Sequence, residues 1–185
     1  MKKAIIFDFF GVICSNINYF LADKYLGKDF DYEPFSKQID LGKFTEEQFI
    51  GVVAEKAKQP IEHVLADMKN QILINGQVIE LIKKARSKYK IGLLSDADAT
   101  FLRKILNDHK LAGYFDRIAI SSETGFLKPD ERAFKFILNA LDVEAGQAIF
   151  IDDRIANVEA ARNLEIESIL FRNMDDLLFL AEQLK

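Results

Sequence analysis

The sequence predicts an α/β fold: a doubly wound parallel sheet of Rossmann-like form, with a small helical insertion after its first strand. Short apolar runs, each followed by polar residues, recur along the chain with helical patterns between them. One long stretch, residues 15–75, breaks this alternation and offers no convincing strand. Strand alternating with helix gives βαβ units, and a parallel sheet built from them needs helices on both faces.

The first run, Ala4-Ile5-Ile6-Phe7, is short and wholly apolar, as a strand buried on both faces requires. Residues 15–75 follow, carrying Tyr19, Phe20, Tyr25, Phe30, Tyr32, Phe35, Phe44 and Phe49, with a capping-box start from Thr45 to Gln48. A structureless loop of that length is improbable inside a compact domain, so the stretch is assigned as a helical insertion whose aromatics pack a core. A helix is expected at about 76–89, a strand at 91–94 and a helix at 98–109, where Asp98 reads as a cap. A third strand falls at 117–120. Over 130–141, Ala133, Phe134, Ile137, Leu138 and Leu141 share one face, and Pro129, Asp130 and Glu131 supply helix-start chemistry. A strand at 148–151, a helix at 154–163, a strand at 167–171 and a helix at 173–184 complete the series. The expected organisation is a core of residues 1–14 and 76–185, with 15–75 as the inserted cap.

Composition narrows the function. Twenty-five Lys plus Arg against 29 Asp plus Glu leave a net charge of −4, so no broad cationic surface is available for nucleic acid. A single cysteine, Cys14, within Gly11-Val12-Ile13-Cys14, reads as a small buried hydrophobe in a reducing compartment. Lys2 and Lys3 before Ala4–Phe7 copy the start of a signal peptide, but Asp8 interrupts the apolar stretch, and no uncharged run is long enough to span a bilayer. A soluble, cytoplasmic protein with no membrane partner is expected. The nine glycines form neither a dinucleotide fingerprint nor a P-loop, and His63 and His109 lack zinc-ligand spacing.

In doubly wound sheets, ligands bind beyond the carboxyl ends of the strands. The residues delivered there are Asp8, then Ser95 and Asp96, then Ser121 and Ser122, then Asp152 and Asp153. Two adjacent carboxylates repel each other unless a cation stands between them.

The ordered set Phe7-Asp8-Phe9-Phe10-Gly11-Val12, Leu93-Leu94-Ser95-Asp96, Gly125-Phe126-Leu127-Lys128-Pro129-Asp130 and Phe150-Ile151-Asp152-Asp153 with Asn157 resembles the haloacid dehalogenase (HAD) superfamily of hydrolases. The insertion is similar to that superfamily's C1-type helical cap. The resemblance implies a phosphatase acting on a small phosphorylated metabolite, with Asp8 attacking phosphorus to form an aspartyl-phosphate. It further implies Mg²⁺ held by Asp8, Asp153, the backbone carbonyl of Phe10 and, directly or through a neighbour, Asp152. Ser95, the backbone near Asp96, and Lys128 would bind the phosphoryl oxygens, and Asn157 would steady a carboxylate or a metal-bound water.

One departure stands out. Phosphatases of this type carry a second Asp two residues after the nucleophile as general acid and base, and here that position is Phe10. Such assistance is worth about 10²–10⁴ in rate. A water or an insertion residue such as Asp23, Glu33 or His63 could substitute, the leaving group could need no proton, or the chain could be a binding protein without turnover. Metal-free dehalogenation is a further reading, since those family members also place an aromatic residue there, but they lack the acidic pair. Response-regulator receivers carry similar residues in a different order.

Overall fold

The computed structural model of the chain describes residues 1–183. Five strands form one parallel sheet in the order β3-β2-β1-β4-β5: β1 (Ala4–Phe7), β2 (Lys90–Ser95), β3 (Arg117–Ile120), β4 (Ala148–Asp152) and β5 (Glu167–Leu170). β1 is the central strand, paired with β2 on one side and β4 on the other, so its four residues are fully buried. The short apolar runs of the sequence are these strands.

Side-chain alternation sends the strands into two cores. Ile5, Phe7, Ile91, Leu93, Ile149 and Ile151 pack on one face against α5 (Gly76–Ala85) and α6 (Ala99–Asp108). Ala4, Ile6, Leu94 and Phe150 pack on the other against α8 (Glu131–Leu141) and α9 (Ile155–Asn163), where Phe134 meets Phe150 edge-on, 5.3 Å between centroids. The amphipathic pattern over 130–141 is α8, with Asp130 accepting the Arg132 N–H as its cap. Asp98 caps α6 in the same way through the Phe101 N–H, and a short helix, α7 (Ser121–Thr124), follows β3.

The insertion comprises α1 (Ile17–Leu26), α2 (Glu33–Asp40), α3 (Glu46–Ala57) and α4 (Ile61–Asn70). The capping box forms as expected, with Thr45 and Gln48 each accepting the other's backbone N–H. Tyr32, Phe35 and Phe49 make the insertion's own aromatic core, with centroids 5.1 Å and 5.9 Å apart for the pairs with Phe49. Its two connections to the sheet are zipped together: the Asn75 N–H donates to the Ile13 carbonyl and the Ser15 N–H to that of Leu73.

Two boundaries differ from expectation. α5 ends at Ala85 rather than Tyr89, because the last apolar contact of its buried face is Ala85 and the chain must then turn to enter β2. Beyond β5 the chain first forms a 3₁₀ turn, Met174–Leu177, and only then α10 (Leu178–Gln183); residue 184 of the expected helix lies outside the described residues. Among the described residues no helix is long and apolar enough to cross a membrane.

Candidate active site

The carboxyl ends of β1 and β4 are neighbours, so the residues that follow them meet. Carboxylate oxygens of Asp8, Asp152 and Asp153 lie within 4.8 Å of one another. Lys128, on the loop before α8, reaches into this cluster: its Nζ sits 2.9 Å from Asp8 Oδ1 and 2.8 Å from Asp152 Oδ2, and donates to the Leu94 carbonyl at 3.1 Å. All three side chains of this ion triad are buried. An ammonium so placed would be costly alone, and it is held there by the carboxylates.

The two members of the acidic pair are in different situations. Asp152 is fully buried and saturated: it accepts from Lys128 Nζ, from Asn157 Nδ2 at 3.1 Å and 3.0 Å, and from the Arg154 N–H at 2.8 Å. Asp153 is half-buried, faces the pocket, and accepts from Asn16 Nδ2 at 3.1 Å. Its carboxylate lies directly over Gly11, whose φ of +85° belongs to the left-handed region. A Cβ built there would stand 2.0 Å from Asp153 Oδ2. Gly11→Ala is therefore expected to displace Asp153 and strain the turn, lowering stability by about 1–3 kcal/mol in denaturant unfolding.

The charge state follows from burial. Burial pushes the Asp8 carboxyl well above the usual carboxylate range against the pull of Lys128, and Asp152 and Asp153 add to the rise. Burial acts to lower the Lys128 pKa, but Asp152, Asp8 and Asp96 outweigh it and hold the ammonium protonated beyond its ordinary range. The carboxyl groups of Asp8, Asp96, Asp152 and Asp153 thus all bear on one ammonium and bring more hard oxygen donors to the site than it can neutralise. That donor set fits Mg²⁺.

Asp8 Oδ1 also accepts the Phe9 N–H at 2.7 Å, which fixes the carboxylate plane. Ser95 is buried, and its Oγ has no hydrogen-bond partner among the described residues. Asp96 accepts the Lys128 N–H at 3.1 Å, tying the loop of Lys128 to the end of β2. Ser121 and Ser122 serve this same rim structurally: their hydroxyls accept the Ala97 and Ala99 N–H groups at 2.9 Å each.

A pocket of about 210 Å³ opens over the cluster, between the sheet rim and the insertion. Asp8, Asp96, Lys128, Asp153 and Asn157 line its floor. Phe10 lines it too, edge-on to Phe9 and stacked with Phe101 at 6.4 Å, so an aromatic wall occupies the place beside Asp8. The Ser121 hydroxyl donates to the Asp40 carbonyl, which docks the end of α2 onto the rim.

Of the insertion residues considered as replacement acids, none lines the pocket: Asp23 and His63 are exposed, and Glu33 pairs with Lys37 at 3.7 Å. The insertion acids that do line it are Asp40 and Glu46. Burial pushes each up to about 7, with Asp96 adding to the rise at Asp40, and Asp98 and Asp40 at Glu46. The sequence pattern did not single out Asn16, Asp40 or Glu46. Each reads there as an ordinary loop or helix-end residue, and only tertiary packing turns it inward.

The family model described as haloacid dehalogenase-like hydrolase matches residues 2–165. The chain belongs to this family. Among curated relatives, drimenol cyclase drtB of Aspergillus calidoustus is 35% identical over 63 residues, which is 34% of this chain and 12% of that protein. The sesquiterpene phosphatase astK of Aspergillus oryzae is 23% identical over 167 residues, 86% of this chain and 85% of the relative. The chain thus spans about an eighth of the first of these relatives and most of the second. Its fold is similar to that of a HAD family enzyme from Bacteroides thetaiotaomicron, whose structure holds magnesium and inorganic phosphate. The TM-score is 0.74 at 19% identity, over 93% of this chain and 95% of the other.

Proposed function

We propose that the chain is a Mg²⁺-dependent phosphatase that hydrolyses the phosphate ester of a small metabolite through an aspartyl-phosphate on Asp8. The observation that carries this reading is the buried ion triad of Asp8, Lys128 and Asp152 beside the pocket-facing Asp153. The Bacteroides neighbour's magnesium and phosphate and the phosphatase named among the relatives support it.

Asp8 and Asp153, with the Phe10 carbonyl, are the groups assigned to hold the metal. Asp152, whose oxygens are already taken by Lys128, Asn157 and the Arg154 N–H, is assigned to position Lys128 instead. Bound there, Mg²⁺ would neutralise phosphoryl charge and allow an anionic nucleophile to approach an anionic ester. Asp8 attacks phosphorus, the alcohol leaves, and water then hydrolyses the acyl phosphate, so that one hard displacement becomes two easier ones. Lys128 and the unpartnered Ser95 hydroxyl, with the backbone N–H groups beside Asp96, hold the equatorial oxygens as their charge develops.

Phe10 gives no proton to the leaving oxygen, which favours either a good leaving group or a water-borne proton. The test is turnover of an aryl phosphate and a panel of metabolite phosphates with and without Mg²⁺, in wild type and Phe10→Asp. Metal-dependent turnover is expected, with Phe10→Asp raising the rate on alkyl phosphates by about tenfold or more and on aryl phosphates much less. No turnover of any ester while metal and phosphate still bind would assign the chain to binding rather than catalysis. Metal-free turnover of 2-haloacids would assign it to dehalogenation, for which the carboxylate cluster has no use.

A further inference from the structure

On the insertion side of the pocket, Glu46 is the first residue of α3 and is 6% exposed. Its Oε2 accepts from Asn18 Nδ2 on α1 at 3.0 Å. Its Oε1 and the Asn18 Oδ1 are both buried, both acceptors, and both without a hydrogen-bond partner among the described residues. Both residues line the pocket. Asn18 also meets the Tyr32 hydroxyl, yet among the described residues no donor is hydrogen-bonded to either orphaned oxygen, so the pair can take a donor from a ligand.

Helix-start chemistry does not explain Glu46. Thr45 and Gln48 already complete the capping box, and Glu47, exposed in the same first turn, offers the helix dipole a carboxylate without burial. The titratable groups that bear on Glu46 are Asp98 and Asp40, both acids, and the buried Tyr32 phenol, so no cation of the described residues stands against it. Arg154, at the rim, acts on Asp40 and Asp96 instead. The rings of Tyr19 and Tyr32, 4.9 Å apart and edge to face, also line this side of the pocket. Aromatic faces beside a buried carboxylate suit a cation. A hydrocarbon chain in this space would seal the orphaned oxygens against apolar atoms, which is costly.

We propose that Glu46 and Asn18 form an ammonium subsite, and that the phosphate ester taken by this pocket carries a protonated amine on its alcohol portion. This deepens the phosphatase reading and rests on Asp8 and Lys128 holding the phosphoryl end. The phosphate sits over the sheet rim and the amine reaches across the pocket to the insertion, so the insertion selects the alcohol.

Matched pairs test this: aminoalkyl phosphates of increasing chain length against their hydroxyalkyl isosteres, with farnesyl phosphate and an aryl phosphate alongside, all with Mg²⁺. For the best chain length, kcat/KM of the amine is expected to exceed that of its hydroxyl isostere by about tenfold or more, the usual worth of a hydrogen bond to a charged group. Glu46→Gln keeps the shape and removes the charge, and should bring that ratio close to one; Glu46→Leu should do the same while improving the standing of farnesyl phosphate. A wild type that favours the hydroxyl isosteres or farnesyl phosphate, or an amine preference that survives Glu46→Gln, overturns the proposal. Aryl phosphate turnover reports separately on the phosphatase reading. Should no ester be turned over, the same pairs are compared by calorimetric binding to the wild type and to Glu46→Gln, and the same ratios decide.

Discussion

Asp8→Asn is expected to lower kcat on every phosphate ester by about 10⁴-fold or more, the scale of loss when a nucleophile that forms a covalent intermediate is removed. An amide keeps the size of the carboxyl but cannot attack phosphorus or carry the phosphoryl group. The fold should survive, because burial already raises the free energy of the charged Asp8 form, and a neutral side chain relieves that cost. Lys128 keeps Asp152 at 2.8 Å as its partner in the variant, so the ammonium is not stranded. Acid-quenched wild type should retain label from a phosphoryl-labelled substrate, and the variant should retain none. Turnover in Asp8→Asn within a factor of ten of wild type would remove Asp8 from the mechanism and leave a metal-activated water as the nucleophile.

The sheet was legible in the sequence because parallel strands buried on both faces cannot hide their composition. Ala4–Phe7, Ile91–Leu94 and Ala148–Ile151 admit almost no polar atom until the strand ends, and the acids that follow are conspicuous for that reason. The polar floor of the pocket was legible by the same logic, since Asp8, Ser95 and Asp152 each come directly after such a run. The insertion was legible as helical but not as a wall. Glu46 looks like one of two first-turn acids, and nothing local separates it from Glu47, yet one is buried and the other exposed. Asp40 ends α2, with Ser121 holding its carbonyl against the rim and the Ser36 hydroxyl donating to its carboxyl, contacts that nothing in the local sequence announces. Periodicity reports which face of a helix is apolar; it does not report which polar residue at a helix end will meet another domain face. The saturation of Asp152 by Asn157, Lys128 and the Arg154 N–H was likewise hidden, because the two acids of the pair are adjacent in sequence and differ only in the direction their side chains take.

Lys128→Met should be the most destabilising substitution at the site, by about 3–5 kcal/mol, because it strips the counter-charge from two buried carboxylates at once. The thioether fills the methylene path of the lysine, so packing loss is small and the effect is electrostatic. The Phe150 ring, 5.7 Å from Lys128 Nζ, would accept the methyl end. What separates this from an ordinary core defect is its response to cations. In wild type, Lys128 and a dication compete to neutralise the same surplus of carboxylates; in the variant the dication is left to do so alone. Added Mg²⁺ should therefore raise the melting temperature of Lys128→Met by more than it raises that of wild type, by the linkage of ligand binding to folding. A variant whose melting temperature rises with Mg²⁺ by no more than the wild type's would mean that the Asp8–Asp153 cluster is not where the metal binds. Activity should not return with stability, because Mg²⁺ restores charge balance but not the donor that Lys128 offers to the transferring phosphoryl group.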